Sequence, residues 1–173
     1  MIGTLDPLRL EHEIILAVVE RMERAVSEPQ SDGTGPFLLA CVEFLRRFAD
    51  ENHHGKEERA LFPAMRENSR LAVLAEVLLE EHGEGRRLYA EIEKAIAGRS
   101  AAAITLAVLD YADHIRAHIR KEDEMIFVSV EHALGAAEGA RLAREFAGVE
   151  AETLGPGGTG ALLAALDEAQ PPQ

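Results

Sequence analysis

Apolar residues recur at steps of three and four along most of the chain, a spacing that predicts helices and no strands. The first helix is expected from about residue 6 to 28, with Asp6 as its N-cap and Pro7 at the first helical position. Its stripe is Ile15, Val19, Met22 and Val26, and His12 lies on the same stripe. A second helix starts near Pro36 and reaches roughly Arg66. There Leu38, Val42, Leu45 and Ala49 lead to His53 and then Glu57, while His54 falls with Arg47, Asp50 and Glu58 on a polar side. Pro63 is expected to kink or end this helix. A third, capped by Ser69 and stopping before Gly98, carries Leu71, Ala75, Leu78, His82, Tyr89, Ile92 and Ile96 on one face. A fourth, capped by Ser100, runs to about Val130, its face reading Ile104, Val108, Tyr111, Ile115, His118, Glu122. A shorter fifth helix is expected over roughly residues 136–148.

The pattern contains a near-copy. His53–His54–Gly55–Lys56–Glu57–Glu58, followed by Leu61–Phe62, returns as His118–Ile119–Arg120–Lys121–Glu122–Asp123, followed by Ile126–Phe127, each position 65 residues on. A histidine four residues before a glutamate puts imidazole and carboxylate on one helix face, a turn apart. A weaker echo links His12 to His82, with Met22–Glu23–Arg24–Ala25 and Ile92–Glu93–Lys94–Ala95 ten residues after each. The chain therefore reads as two similar helical hairpins. The fold class expected is all-α, an up-down-up-down four-helix bundle with a short extra C-terminal helix. The bundle is expected over residues 1–150 and a flexible Gly/Pro-containing tail over 151–173, in which Ala161–Ala169 is able to form a short helix or dock on a partner.

Charge and cysteine content narrow the surroundings. The formal net charge of −13 argues against nucleic acid and anionic membrane surfaces as partners. No apolar run approaches the ~20 residues that span a bilayer, and the N-terminus lacks the basic start of a secretion signal. Cys41 is the single cysteine, read as a small buried apolar residue, so no internal disulfide forms. A cytoplasmic location is the expectation.

The inward polar set is His12, His53, Glu57, His82, His118 and Glu122. Burying six such groups without partners costs about 2 kcal/mol or more each, and shared metal ions supply the simplest common reason. Six donors exceed what one tetrahedral zinc needs. They suit two ions, and imidazole with carboxylate suits iron, manganese or zinc.

These residues resemble the hemerythrin-like proteins, in particular the HHE cation-binding branch. His12, the HHGKEERALFP segment, Glu81–His82 and HIRKEDEMIF follow that family's motifs in order over roughly residues 5–130. The resemblance implies a non-haem di-iron site in a four-helix bundle, often bridged by oxygen and both carboxylates. It implies binding, sensing or reduction of O2, NO or peroxide, and iron–sulfur repair is a further association of the family. Oxygen-carrying members place a second histidine four residues after the first on the third helix; here Arg86 stands there, which speaks against reversible O2 carriage. Turnover of peroxide or NO would make the protein an enzyme. The alternatives are a metal-dependent sensor or interaction module, with a protein partner on the C-terminal tail, and a structural zinc or mixed-metal bundle.

Around this set stand residues with two readings each. His54 is a neighbour of the site or an exposed histidine; Glu58 and Asp123 are solvated acids or orient a histidine. His114, one turn before His118, lines the pocket or sits on the helix surface, and His132 is expected at the surface. Tyr89 and Tyr111 fall towards one end of the bundle, about 10 Å along the axis from the histidines. Either small ligands approach there, with Gly85 leaving room, or the two tyrosines are amphipathic core residues. The opposite end, with Leu8, Leu61, Phe62, Leu78, Ile126 and Phe127, reads as an apolar plug.

Overall fold

The computed structural model describes residues 3–28 and 31–169, and every regular element among them is helical. Helix α1 spans Asp6–Ser27. Helix α2 (Thr34–Leu45) leads through two π-helical stretches, Arg46–His54 and Glu57–Leu61, into α3 (Phe62–Arg66). Helix α4 (Ala72–Ala97) is followed by α5 (Ala101–Lys121), which leads through a π-helical stretch, Glu122–Ile126, into α6 (Phe127–Ala133). Helix α1 packs on α2 and on α5, and α4 packs on α5 and on the α2–α3 rod. This is the all-α bundle that the stripes predict. Two further helices, α7 (Ala136–Thr153) and α8 (Gly158–Glu168), lie outside the ring of four.

The ends of the elements follow local chemistry. Ser100 accepts a hydrogen bond from the Ala103 amide at 3.3 Å and starts α5. Ser69 does not cap α4. Asn68 builds that turn instead: its side-chain oxygen accepts from the Arg70 amide at 3.0 Å, and its carbonyl accepts from Leu71 and Ala72, both at 2.9 Å. Pro63 does not end its rod, which stays helical to Arg66. The fifth helix is longer than its stripe suggests and reaches Thr153. The turn after it uses Gly155, Gly157 and Gly158, all at positive φ (64°, 91° and 52°), where side chains are disfavoured. Pro171–Pro172, at the end of the expected tail, lie outside the described residues.

The π-helical stretches obey the repeat. Glu57–Leu61 and Glu122–Ile126 lie 65 residues apart, and each closes on the same bond: the Phe62 amide donates to the Glu57 carbonyl, the Phe127 amide to that of Glu122. The second copy has Val128 where the first has Pro63. The widened turn is therefore not a consequence of proline.

Two apolar clusters flank the polar set. One holds Ile15, Met22, Leu38, Cys41, Phe48, Tyr89 and Tyr111. The other holds Leu5, Leu8, Leu61, Phe62, Leu78, Ile126 and Phe127, with Leu142 and Phe146 added by α7. Helix α8 packs on α2, burying Leu166, and Asp167 pairs with Arg21 of α1 at 2.9 Å. No helix among the described residues is long and apolar enough to cross a membrane.

Candidate metal centre

Between the apolar clusters, His12 of α1, His53 and Glu57 of the second rod, His82 of α4, and His118 and Glu122 of the fourth rod converge. None is more than 3% exposed. His54 joins them, 4% exposed. The α-helical register had placed it on a polar side. The π-helical stretch Arg46–His54 carries more residues per turn, so two consecutive histidines reach the interior, as π-helical insertions often allow at functional sites.

The donor atoms fall into two groups that share Glu57. His54, Glu57, His82 and His118 form one; His12, His53, Glu57 and Glu122 form the other. Within each group the donor atoms lie within 4.8 Å of one another. The Nε2 atoms of His12 and His53 are 3.0 Å apart. His12 Nε2 lies 3.2 Å from Glu122 Oε2, and His82 Nε2 lies 3.3 Å from Glu57 Oε2. Both oxygens of Glu57 and of Glu122, and Nε2 of His54, His82 and His118, are buried without a hydrogen-bond partner. An orphaned buried polar atom costs roughly 1–3 kcal/mol. Seven such atoms at one point fit a set of donors addressed to cations.

On the outside, each imidazole turns Nδ1 to a carboxylate. His12 meets Asp123 at 2.9 Å, His53 meets Glu11 at 3.0 Å, His82 meets Glu58 at 2.8 Å and His118 meets Glu81 at 2.9 Å. His54 and Asp50 are a longer 3.4 Å apart. An Nδ1–H donated outward leaves the Nε2 lone pair directed inward, the tautomer that a metal requires. Four of the five carboxylates are themselves held. Lys56 donates to Glu11 and Lys121 to Glu81. Arg86 Nε donates to Asp50 at 2.7 Å and Nη2 to Glu58 at 2.6 Å.

The repeat now reads as an approximate twofold relation. His12–Asp123 answers His82–Glu58, and His53–Glu11–Lys56 answers His118–Glu81–Lys121. Phe62 stacks on His82 with ring centroids 5.4 Å apart, and Phe127 stacks on His12 at 5.6 Å. His54 breaks the relation, because Ile119 stands in the corresponding place.

The electrostatics match a site waiting for positive charge. Burial opposes ionisation of Glu57, but the surrounding His53, His82 and His54 hold its carboxyl far below the usual range. Burial likewise lowers the pKa of His12, yet the bond to Asp123 and the nearby Glu122 carboxylate outweigh it and raise the value to about 10. His82 rises to about 9, burial again being outweighed, here by Glu57 and Glu58. His54 goes the other way: burial and the neighbouring His82 push it well below its ordinary value, which keeps it neutral.

This arrangement places the chain among known proteins. The family model described as the hemerythrin HHE cation binding domain matches residues 4–129. The chain belongs to the hemerythrin HHE cation-binding family. Uncharacterized proteins of Mycobacterium bovis and Mycobacterium tuberculosis are 27% identical over 162 residues, covering 88% of this chain and 63% of each relative. The chain thus spans less than two thirds of the length of these relatives. No solved structure matches it.

Within this hemerythrin-like bundle the other candidates find their places. Glu58 and Asp123 orient His82 and His12. His114 Nε2 donates to the Glu81 carbonyl at 3.0 Å and is not one of the clustered donors. His132 is bonded to the Val128 carbonyl of its own helix. Tyr89 and Tyr111 are buried, their hydroxyls 3.1 Å apart and bonded to each other. A Cβ on Gly85 would make only an ordinary 3.7 Å contact with His114, so close packing does not require glycine there. The expected plug residues are all buried at the glutamate end. Cys41 is fully buried, which raises its thiol to about 12 and keeps it protonated. The residues that pattern reading missed are Glu11, Asp50, Glu81, Arg86 and Lys56. A signal existed for three of them: Glu11–His12 repeats as Glu81–His82, and Lys56 repeats as Lys121.

Proposed function

We propose that this chain holds two metal ions, iron foremost, and that the pair binds, senses or reduces O2, NO or peroxide. The observation that carries the reading is the pair of four-donor groups sharing Glu57, with their inward atoms orphaned. One ion would be held by His54, His82, His118 and Glu57, the other by His12, His53, Glu57 and Glu122. His54 would thereby supply the imidazole that Arg86 does not. Bound iron would contribute a redox-active Lewis acid.

The protein's own share is orientation and exclusion. Asp123, Glu11, Asp50, Glu58 and Glu81 hold the five rings with Nε2 inward. Phe62, Phe127 and the apolar cluster around them keep water from the glutamate end. The tyrosine pair does the same at the other end, where both rings are buried. The group with two imidazoles offers its ion fewer nitrogen donors than the group with three. That half is where a small exogenous ligand would bind.

Metal analysis with an optical spectrum, on protein purified in air, tests this reading. Two equivalents of iron are expected, with a visible charge-transfer band that shifts on addition of azide or NO. Peroxide or NO consumption, measured separately, distinguishes turnover from binding. Two equivalents of zinc and no visible absorption would overturn the redox reading.

A further inference from the structure

Among the described residues, helix α7 makes hydrogen bonds to the Glu11–His53 arm of the site and none to the mirrored Glu81–His118 arm. Glu11 and Glu81 play matching parts, each accepting from a ring nitrogen (His53 at 3.0 Å, His118 at 2.9 Å) and from a lysine. The lysines differ in surroundings: the side chain of Lys56 is 1% exposed and that of Lys121 is 35% exposed. The difference is α7. Its Glu150 accepts from Lys56 Nζ at 2.7 Å. Its Thr153 hydroxyl, which donates at 2.9 Å to the Val149 carbonyl of its own helix, also lies 3.3 Å from Asn52 Oδ1, while Asn52 Nδ2 donates to Glu11 at 3.0 Å.

The sequence differs between the two copies where α7 sits. A Cβ on Gly55 would come within 3.3 Å of Val149 on α7, so the helix approaches where a side chain is missing. Arg120 occupies the mirrored position and is exposed. Asn52, fully buried, is mirrored by Ala117, which has no group to bond a covering helix. Helix α7 also lies beyond residues 4–129, the span matched by the family model.

A carboxylate on Nδ1 fixes the plane and tautomer of a metal-binding imidazole. Whatever restrains Glu11 therefore restrains His53. With Glu150 gone, the buried Lys56 ammonium keeps Glu11 alone, and with Thr153 gone, Asn52 loses its outer anchor. We propose that α7 is a brace for metal retention, with Glu150 and Thr153 as positioning residues that hold the Glu11–His53 arm and so the ion of the two-imidazole half. The proposal rests on the two-metal reading.

The test loads metal-free full-length protein with iron(II) under anaerobic conditions and follows its extraction by a coloured chelator. In the Glu150→Gln/Thr153→Val variant one of two irons is expected to leave roughly tenfold faster, the low end for partners that orient metal histidines. The other iron keeps its wild-type rate. Glu152→Gln, also on α7, removes the charge from the exposed pair that Glu152 makes with Arg59 of the Glu57–Leu61 stretch, and leaves both rates unchanged. Wild-type rates in the double variant overturn the brace, and so does equal acceleration of both irons, which marks general loosening. A wild-type protein that retains no iron(II) overturns the two-metal reading itself.

Discussion

Inside the donor cluster, His54 is the residue at which the two halves of the molecule stop being copies. Its mirror, Ile119, is an apolar core residue, and the mirror of its partner Asp50 is Ile115. Replacing an isoleucine pair by His–Asp inside a core is costly unless both groups are bonded, and Arg86 supplies the last bond from the surface. Arg86 thus stands where a further histidine is expected from the resemblance and acts on two rings at a distance, through Asp50 on His54 and through Glu58 on His82. His54→Ala is expected to weaken one metal of two, read as a drop in stoichiometry after gel filtration. Arg86→Met, which keeps the side-chain bulk, is expected to lower affinity for that same metal by roughly 10–100-fold in a chelator competition. Unchanged affinity in Arg86→Met would show that Asp50 and Glu58 hold their rings unaided. Of these residues, His53 was legible from a plain three-and-four stripe. His54 was not, because the stripe assumes 3.6 residues per turn and the local backbone does not keep it.

Helices, their order and their inward faces follow closely from apolar spacing, because burying a stripe is what stabilises each element. What spacing missed lies at the seams. Asn68 rather than Ser69 sets the start of α4, since both are good turn formers and only geometry chooses between them. The three π-helical stretches were invisible for a deeper reason: no residue type encodes them, and two of them recur at corresponding positions beside Glu57 and Glu122. Pro63 tempts one to blame proline, but the copy without proline has the same turn. Pro63→Ala is accordingly expected to leave metal content unchanged. It should raise the urea midpoint slightly, the gain staying below the ~3 kcal/mol that separates Ala from Pro inside a helix. Loss of metal in Pro63→Ala would return the π turn to proline's account.

At the scale of the whole molecule, a chain of net charge −13 gathers two buried carboxylates and five imidazoles at its centre, and the balance there depends on what neutralises them. Without metal, protons serve. His12 is raised from 6.5 to about 10 and His82 from 6.5 to about 9 by their glutamate and aspartate neighbours. A pKa raised by folding contributes stability that is complete below the unfolded value of 6.5 and is lost as pH climbs through the folded value. The metal-free bundle should therefore melt at progressively lower temperature from about pH 7 to pH 10. Bound metal takes the place of those protons and competes best where they are scarce, so the loaded protein gains affinity over the same range. The two melting curves should diverge as pH rises: the difference in Tm between loaded and chelator-treated protein is expected to be larger at pH 9 than at pH 6.5. Measuring Tm with and without chelator across that range checks it. A constant difference would mean that His12 and His82 carry no extra protons in the metal-free state, and that burial rather than pairing governs the centre.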